Sequence, residues 1–84
     1  MQVKYRKKPL TVTAEQVLFA HQLPEGVKRW PTDAQPQDGS VGYIDTREGR
    51  EHVWLHDYIV TGTEGEKYPV KEAVFEQIYE LSGA

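Results

Sequence analysis

Val41-Gly-Tyr-Ile-Asp-Thr46 and Glu51-His-Val-Trp-Leu55, joined by Arg47-Glu-Gly-Arg50, decide how this chain is read. Short runs rich in β-branched and aromatic residues flank a turn in which Gly49 can take a positive φ, the pattern of a β-hairpin. The pattern then repeats. Tyr58-Ile-Val-Thr61 and Lys67-Tyr-Pro-Val70 flank Gly62-Thr-Glu-Gly-Glu66, again with glycine where the turn needs it. Two hairpins in series predict an antiparallel meander.

Working outward toward the amino terminus, residues 5–17 read as one extended segment. Leu10, Val12 and Ala14 alternate with Thr11, Thr13 and Glu15, which predicts a strand with one buried face that begins near Pro9. Leu23, Val27 and Trp30 fall four and three apart, so Pro24 through Trp30 is expected to form two helical turns, with proline at the first position and Pro31 as the stop. Residues 31–40 are turn-forming and poor in apolar anchors, which predicts a surface loop. Past Pro69, the spacing is served by a helical turn at Lys71–Val74 followed by a strand carrying Phe75, Gln77, Tyr79 and Leu81. That strand could pair with the basic amino-terminal one, setting Glu76 and Glu80 opposite Lys4 to Lys8. The expectation is a single α+β domain over residues 1–84: a small, strongly twisted antiparallel sheet of about five strands, open or partly closed into a barrel, with one short helix.

The chain has 84 residues and no cysteine. Disulfides, thiolate catalysis and cysteine-ligated metals are thereby excluded, and stability rests on packing. Domains of this length bury only about 60% of the surface of the unfolded chain, which leaves little room for a private pocket. A homodimer or higher oligomer built on exposed sheet edges is therefore expected. No apolar run approaches the length of a membrane span or of a signal peptide, so no membrane partner is expected. Residues 1–30 carry six Lys and Arg against two acids, whereas residues 31–84 carry four against eleven. Such asymmetry suits a nucleic-acid arm, and equally an amino-terminal strand lying beside an acidic one.

Few groups have the setting that catalysis requires. Ser40 and Ser82 sit in a polar loop and near the chain end, outside any nucleophile elbow. The Gly62–Glu66 turn places acids where a phosphate cradle needs backbone N–H groups and a lysine. His52 and His56 are four apart, a ligand spacing on a helix, but a strand would hold them about 13 Å apart. Neither a metal nor a cofactor is expected, and the histidines read better as solvated or binding groups. Binding is better supplied. Tyr5, Arg6, Lys7 and Lys8 form a cationic strip, and Tyr43, Trp54, Tyr58 and Tyr68 fall on neighbouring predicted strands, a combination that stacks rings and holds phosphates. Trp54, Ile59 and Phe75 are assigned to the core, and Tyr5 and Tyr68 are the pair least committed to it.

Tyr5-Arg6-Lys7-Lys8-Pro9, with Ala14 and Gln16, resembles the opening of a set of small bacteriophage-encoded proteins of unknown function. Asp57-Tyr58-Ile59-Val60, Gly62, Gly65-Glu66, Tyr68-Pro69, Lys71, Phe75-Glu76 and Tyr79-Glu80 are similar to that family's closing pattern. The chain departs from it with His56 in place of a common glycine, Lys67 in place of an aromatic and Val70 in place of a frequent cysteine. The resemblance implies phage origin and no particular activity. Together with the scarcity of catalytic groups, it leads to the expectation of a non-enzymatic accessory protein acting in the host bacterial cytoplasm. Its work would be counter-defence, by sequestering a small nucleotide or by blocking a host protein. The alternatives are a nucleic-acid-binding regulator using the basic strip, and a small structural or assembly component. Expected ligand-binding residues are Tyr5, Arg6, Lys8, His56, Lys67, Tyr68 and Lys71.

Overall fold

The computed structural model describes residues 1–5 and 10–81. Within them the order is β1 (Thr13–Gln16), a 3-10 turn (Thr32–Ala34), β2 (Gly42–Thr46), β3 (Gly49–Val53), β4 (Tyr58–Thr61), β5 (Lys67–Val70) and α1 (Glu72–Ile78). The fold is mostly β with one helix. Its five strands form two antiparallel sheets, β1-β4-β5 and β2-β3, and no closed barrel forms among the described residues. No described helix is long and apolar enough to cross a membrane.

Both expected hairpins are present, but they do not run on into one meander. β4 and β5 pair from Tyr58↔Val70 to Thr61↔Lys67. β2 and β3 pair from Gly42↔Val53 to Thr46↔Gly49, so the first turn is two residues tighter than its sequence suggests. Thr46 accounts for the shortening: its hydroxyl donates to the Gly49 carbonyl at 2.9 Å and accepts the Glu48 N–H at 3.1 Å. After Val53 the chain turns through Trp54–Asp57 and enters the other sheet instead of folding back on β3.

The two sheets share one small core. Val17 and Ile59 come from the three-stranded sheet side, Ile44 and Val53 from the hairpin, and Leu23, Val27 and Val41 pack around them. Gly42 lets the 23–30 segment reach the hairpin, since a Cβ there would lie 2.5 Å from the Lys28 carbonyl oxygen. That closeness permits paired backbone hydrogen bonds between Lys28 and Tyr43, at 2.8 and 2.9 Å.

Three elements differ from the sequence expectations. Pro24–Trp30 is not a helix: Val27 N–H closes a turn onto the Pro24 carbonyl at 3.1 Å, Gly26 swings out at φ 92°, and the following residues extend against β2. The extended pairing satisfies backbone groups that two helical turns would have left open. The amino-terminal strand is only four residues long and pairs with β4 rather than with a carboxy-terminal strand. Its supposed buried face is not buried; Leu10 and Ala14 are exposed, and the core residue is Val17, just past the strand. Lastly, residues 72–78 form the helix, with no strand in the described residues after it, so Glu76 stands on a helix rather than on the expected strand, and Arg6, Lys7 and Lys8, its expected counterparts, lie outside the described residues. Phe75 and Tyr79, four apart, approach each other to 4.9 Å, and Phe75 stacks on Tyr58 at 3.9 Å and 9°. A strand would have spread those two rings along the chain instead of gathering them on one helical face.

Candidate functional site: an aromatic ladder capped by cations

Strand alternation divides the first hairpin into two faces. Ile44 and Val53 point to the core, whereas Tyr43 lies opposite His52 and Asp45 opposite Arg50 on the outer face. Trp54 continues the outer row two residues beyond His52. Trp30, brought over by the Lys28–Tyr43 bridge, lies 4.5 Å from the Tyr43 ring and edge-on to His52 at 4.9 Å. His52 is 5.8 Å from Trp54. A cation closes each end: the Arg50 guanidinium sits 4.0 Å over Tyr43, and the Lys71 ammonium 3.9 Å over Trp54. The result is a continuous ladder of Arg50, Tyr43, Trp30, His52, Trp54 and Lys71.

Each capping cation also has a carboxylate. Arg50 Nε donates to Asp45 Oδ1 at 2.9 Å, which holds the Asp45 carboxyl below its usual range and the guanidinium above its own. Lys71 Nζ lies 3.2 Å from Asp57 Oδ1. Asp57 is itself buried, and its Oδ2 accepts the Trp54 backbone N–H at 2.9 Å. The carboxylate therefore fixes the turn that delivers Trp54 and at the same time anchors the cation on the ring.

The 31–40 segment, expected as a surface loop, organises the ladder. Trp30 Nε1 donates to Ser40 Oγ at 3.1 Å, and Trp54 Nε1 to the Asp38 carbonyl at 3.0 Å. Asp38 Oδ1 accepts from the Ser40 hydroxyl at 2.6 Å and from the Ser40 N–H at 2.9 Å. These bonds, with His52 beside them, hold the Asp38 carboxyl well below the usual range, at about 2. Since that carboxylate carries no proton at neutral pH, His52 Nδ1 is the donor in its 2.5 Å contact with Asp38 Oδ2.

At the Lys71 end the ladder opens into a cleft of about 350 Å³ lined by Glu51, His52, Trp54, Asp57, Pro69 and Lys71. Its walls are an indole, an imidazole and a proline ring, and its charges are two carboxylates against one ammonium.

Of the described residues expected to bind a ligand, only Lys71 lies in this cleft. Lys67 donates from Nζ to Thr61 Oγ1 at 2.7 Å and lines a separate, smaller cleft with Glu15 and Glu25. His56 sits exposed on the turn before Asp57, its backbone N–H donating to the Val17 carbonyl at 2.6 Å. Burial, together with the neighbouring Tyr79, pushes the Tyr68 hydroxyl up. Tyr5 is fully exposed. Arg6 and Lys8 lie outside the described residues. Trp54, assigned to the core, is instead half-buried on the ladder, and Phe75 is half-buried against Tyr58; Ile59 does belong to the core.

Tyr43, His52 and Trp54 could have been grouped from the hairpin register, because alternation sets them on one face. Trp30 and Asp38 could not, since loop contacts bring them in. Together these features define a small β-rich domain with a cation-capped aromatic surface. No family model, curated protein or solved structure matches the chain.

Proposed function

We propose that this chain is a phage-encoded, non-enzymatic binding protein that works in the cytoplasm of the infected bacterium by occupying a host protein, a counter-defence role. The ladder, open at its Trp54–Lys71 end, is the observation that carries this reading. Tryptophan, tyrosine and arginine dominate the energetics of protein interfaces because they bury large areas at little cost in side-chain order. The ladder's indoles, imidazole and cations are held by hydrogen bonds and ion pairs to Ser40, Asp38, Asp45 and Asp57, which suits a rigid recognition surface better than a reaction centre. Within the cleft, Glu51 and Asp57 outweigh Lys71, so its field favours a basic side chain of a protein over the phosphates of a nucleotide. Lys67, another of the lysines expected to bind, lies in a separate cleft beside two further acids.

The test is copurification from the infected host, comparing the unaltered chain with Trp54→Ala. One host protein should be retained in stoichiometric amount, and truncating Trp54 should lower its recovery at least tenfold while the circular dichroism spectrum stays unchanged. Retention of a nucleotide with no protein, or a host complex indifferent to Trp54, would overturn the assignment. Retarded migration of mixed-sequence DNA or RNA that fades with added salt would support the nucleic-acid regulator in its place.

A further inference from the structure

The three-stranded sheet has two edges, and they are not equivalent. β5 is blunted. Pro69 cannot donate a hydrogen bond, so it is tolerated opposite Ile59 only with its nitrogen turned away from β4, and Lys67 stands on the same short strand. β1 has no such protection. Val17 donates to the Asp57 carbonyl at 2.8 Å, so with a period of two the backbone groups of Thr13 and Glu15 face β4. Those of Val12, Ala14 and Gln16 point outward. No proline or lysine interrupts residues 10–18, and no described strand covers this edge.

We propose that the open edge of β1 pairs with β1 of a second copy of this chain, antiparallel about a two-fold axis at Ala14, to make one six-stranded sheet. The pairing is self-complementary. Leu10 and Leu18 lie four residues to either side of Ala14 and are 65% and 53% exposed. A two-fold axis at Ala14 brings Leu10 of one copy beside Leu18 of the other, at both ends of the interface. It also sets Val12 opposite Gln16, and Glu15 opposite Thr13 rather than opposite its own equivalent, so like charges do not face each other. An isologous contact of this kind closes after two copies and leaves only the blunted β5 edges outside.

Pairing along β1 would also give the exposed Leu10 and Ala14 cross-strand neighbours.

Two substitutions test the arrangement in the full chain by sedimentation equilibrium and oxidation. Unaltered protein should sediment as a dimer at micromolar concentration. Ala14→Pro removes an N–H that points away from β4, so the intrachain pairing survives while the dimer dissociation constant rises at least tenfold. Ala14→Cys, in a chain with no other cysteine, should oxidise to a covalent dimer across the axis, whereas Lys67→Cys should not. Monomer alone up to hundreds of micromolar would overturn the proposal. So would a dimer that persists in Ala14→Pro, or one in which Ala14→Cys stays reduced under oxidant. The disulfide arm decides the matter if the proline variant fails to fold. None of these readouts depends on the host protein proposed above.

Discussion

His56 holds φ at 76°, a positive value that no other non-glycine residue among those described adopts. Left-handed backbone costs an ordinary L-residue about 1–2 kcal/mol. Here the turn is held by the His56 N–H on the Val17 carbonyl and by Gln16 Nε2 donating to the His56 carbonyl at 3.1 Å. A glycine at this point would relieve the cost. His56→Gly is expected to raise stability by about 0.5–1 kcal/mol in urea denaturation; an unchanged or lower midpoint would contradict the strain argument. A second residue carries the acid response. The Asp38 carboxyl titrates at about 2 in the fold against an ordinary 3.8, so the unfolded chain takes up this proton first as pH falls. The stabilisation from Asp38 is therefore complete above about pH 4 and is lost as pH drops through about 2. Thermal melts of the unaltered chain and of Asp38→Asn should differ by a constant gap from neutral pH to about 4 and converge below it. A gap that stays constant to pH 2 would show that the Ser40 hydrogen bonds do not carry the effect.

At the scale of elements, α1 is the part held most lightly. Seven residues are too few for an isolated helix to persist in water. None of its side chains is fully buried; the stack of Phe75 on Tyr58 and the 2.7 Å bond from Gln16 Nε2 to Glu72 Oε2 anchor it. Phe75→Ala should melt α1 while leaving the sheets in place. Amide exchange of residues 72–78 would then rise to near free-chain rates with β2–β4 still protected, and global stability would fall by no more than about 1.5 kcal/mol, the aromatic pair itself. Uniform loss of protection would show instead that the helix belongs to the cooperative core. The same element marks where the sequence misleads. Val74, Phe75 and Ile78 carry a helical spacing, and Phe75, Tyr79 and Leu81 a strand spacing, so periodicity cannot arbitrate; the Tyr58 ring does, and it lies in another part of the chain. The Pro24–Trp30 segment misleads for a parallel reason. Its three-and-four spacing is real, yet Lys28 finds Tyr43 across the close approach at Gly42, and that long-range pairing wins over local helix formation. The hairpins were legible because their turns and their alternation are local.

For the whole molecule, the core was readable in part and the site hardly at all. Ile59 announces itself within an apolar run, and the outer row of Tyr43, His52 and Trp54 follows from hairpin register. What makes that row a site is Trp30 laid over it by a distant loop, with Ser40 holding the Trp30 indole and Asp38 the Trp54 indole, which no spacing encodes. Charge patterning was the weaker guide: Glu76 lies on a helix rather than a strand, and the cations of the ladder, Arg50 and Lys71, each sit on a ring. The ladder also gives the molecule an optical character. Both tryptophans of the chain lie in it, one on either side of an imidazole, with an ammonium resting on the open face of the second. All of the indole emission therefore originates within one surface, close to groups that quench by taking an electron from the excited ring or, as the ammonium does, by giving it a proton. Anything that settles in the cleft and displaces Lys71 from Trp54 alters that quenching, so the unlabelled protein reports its own occupancy as a change in colour and brightness.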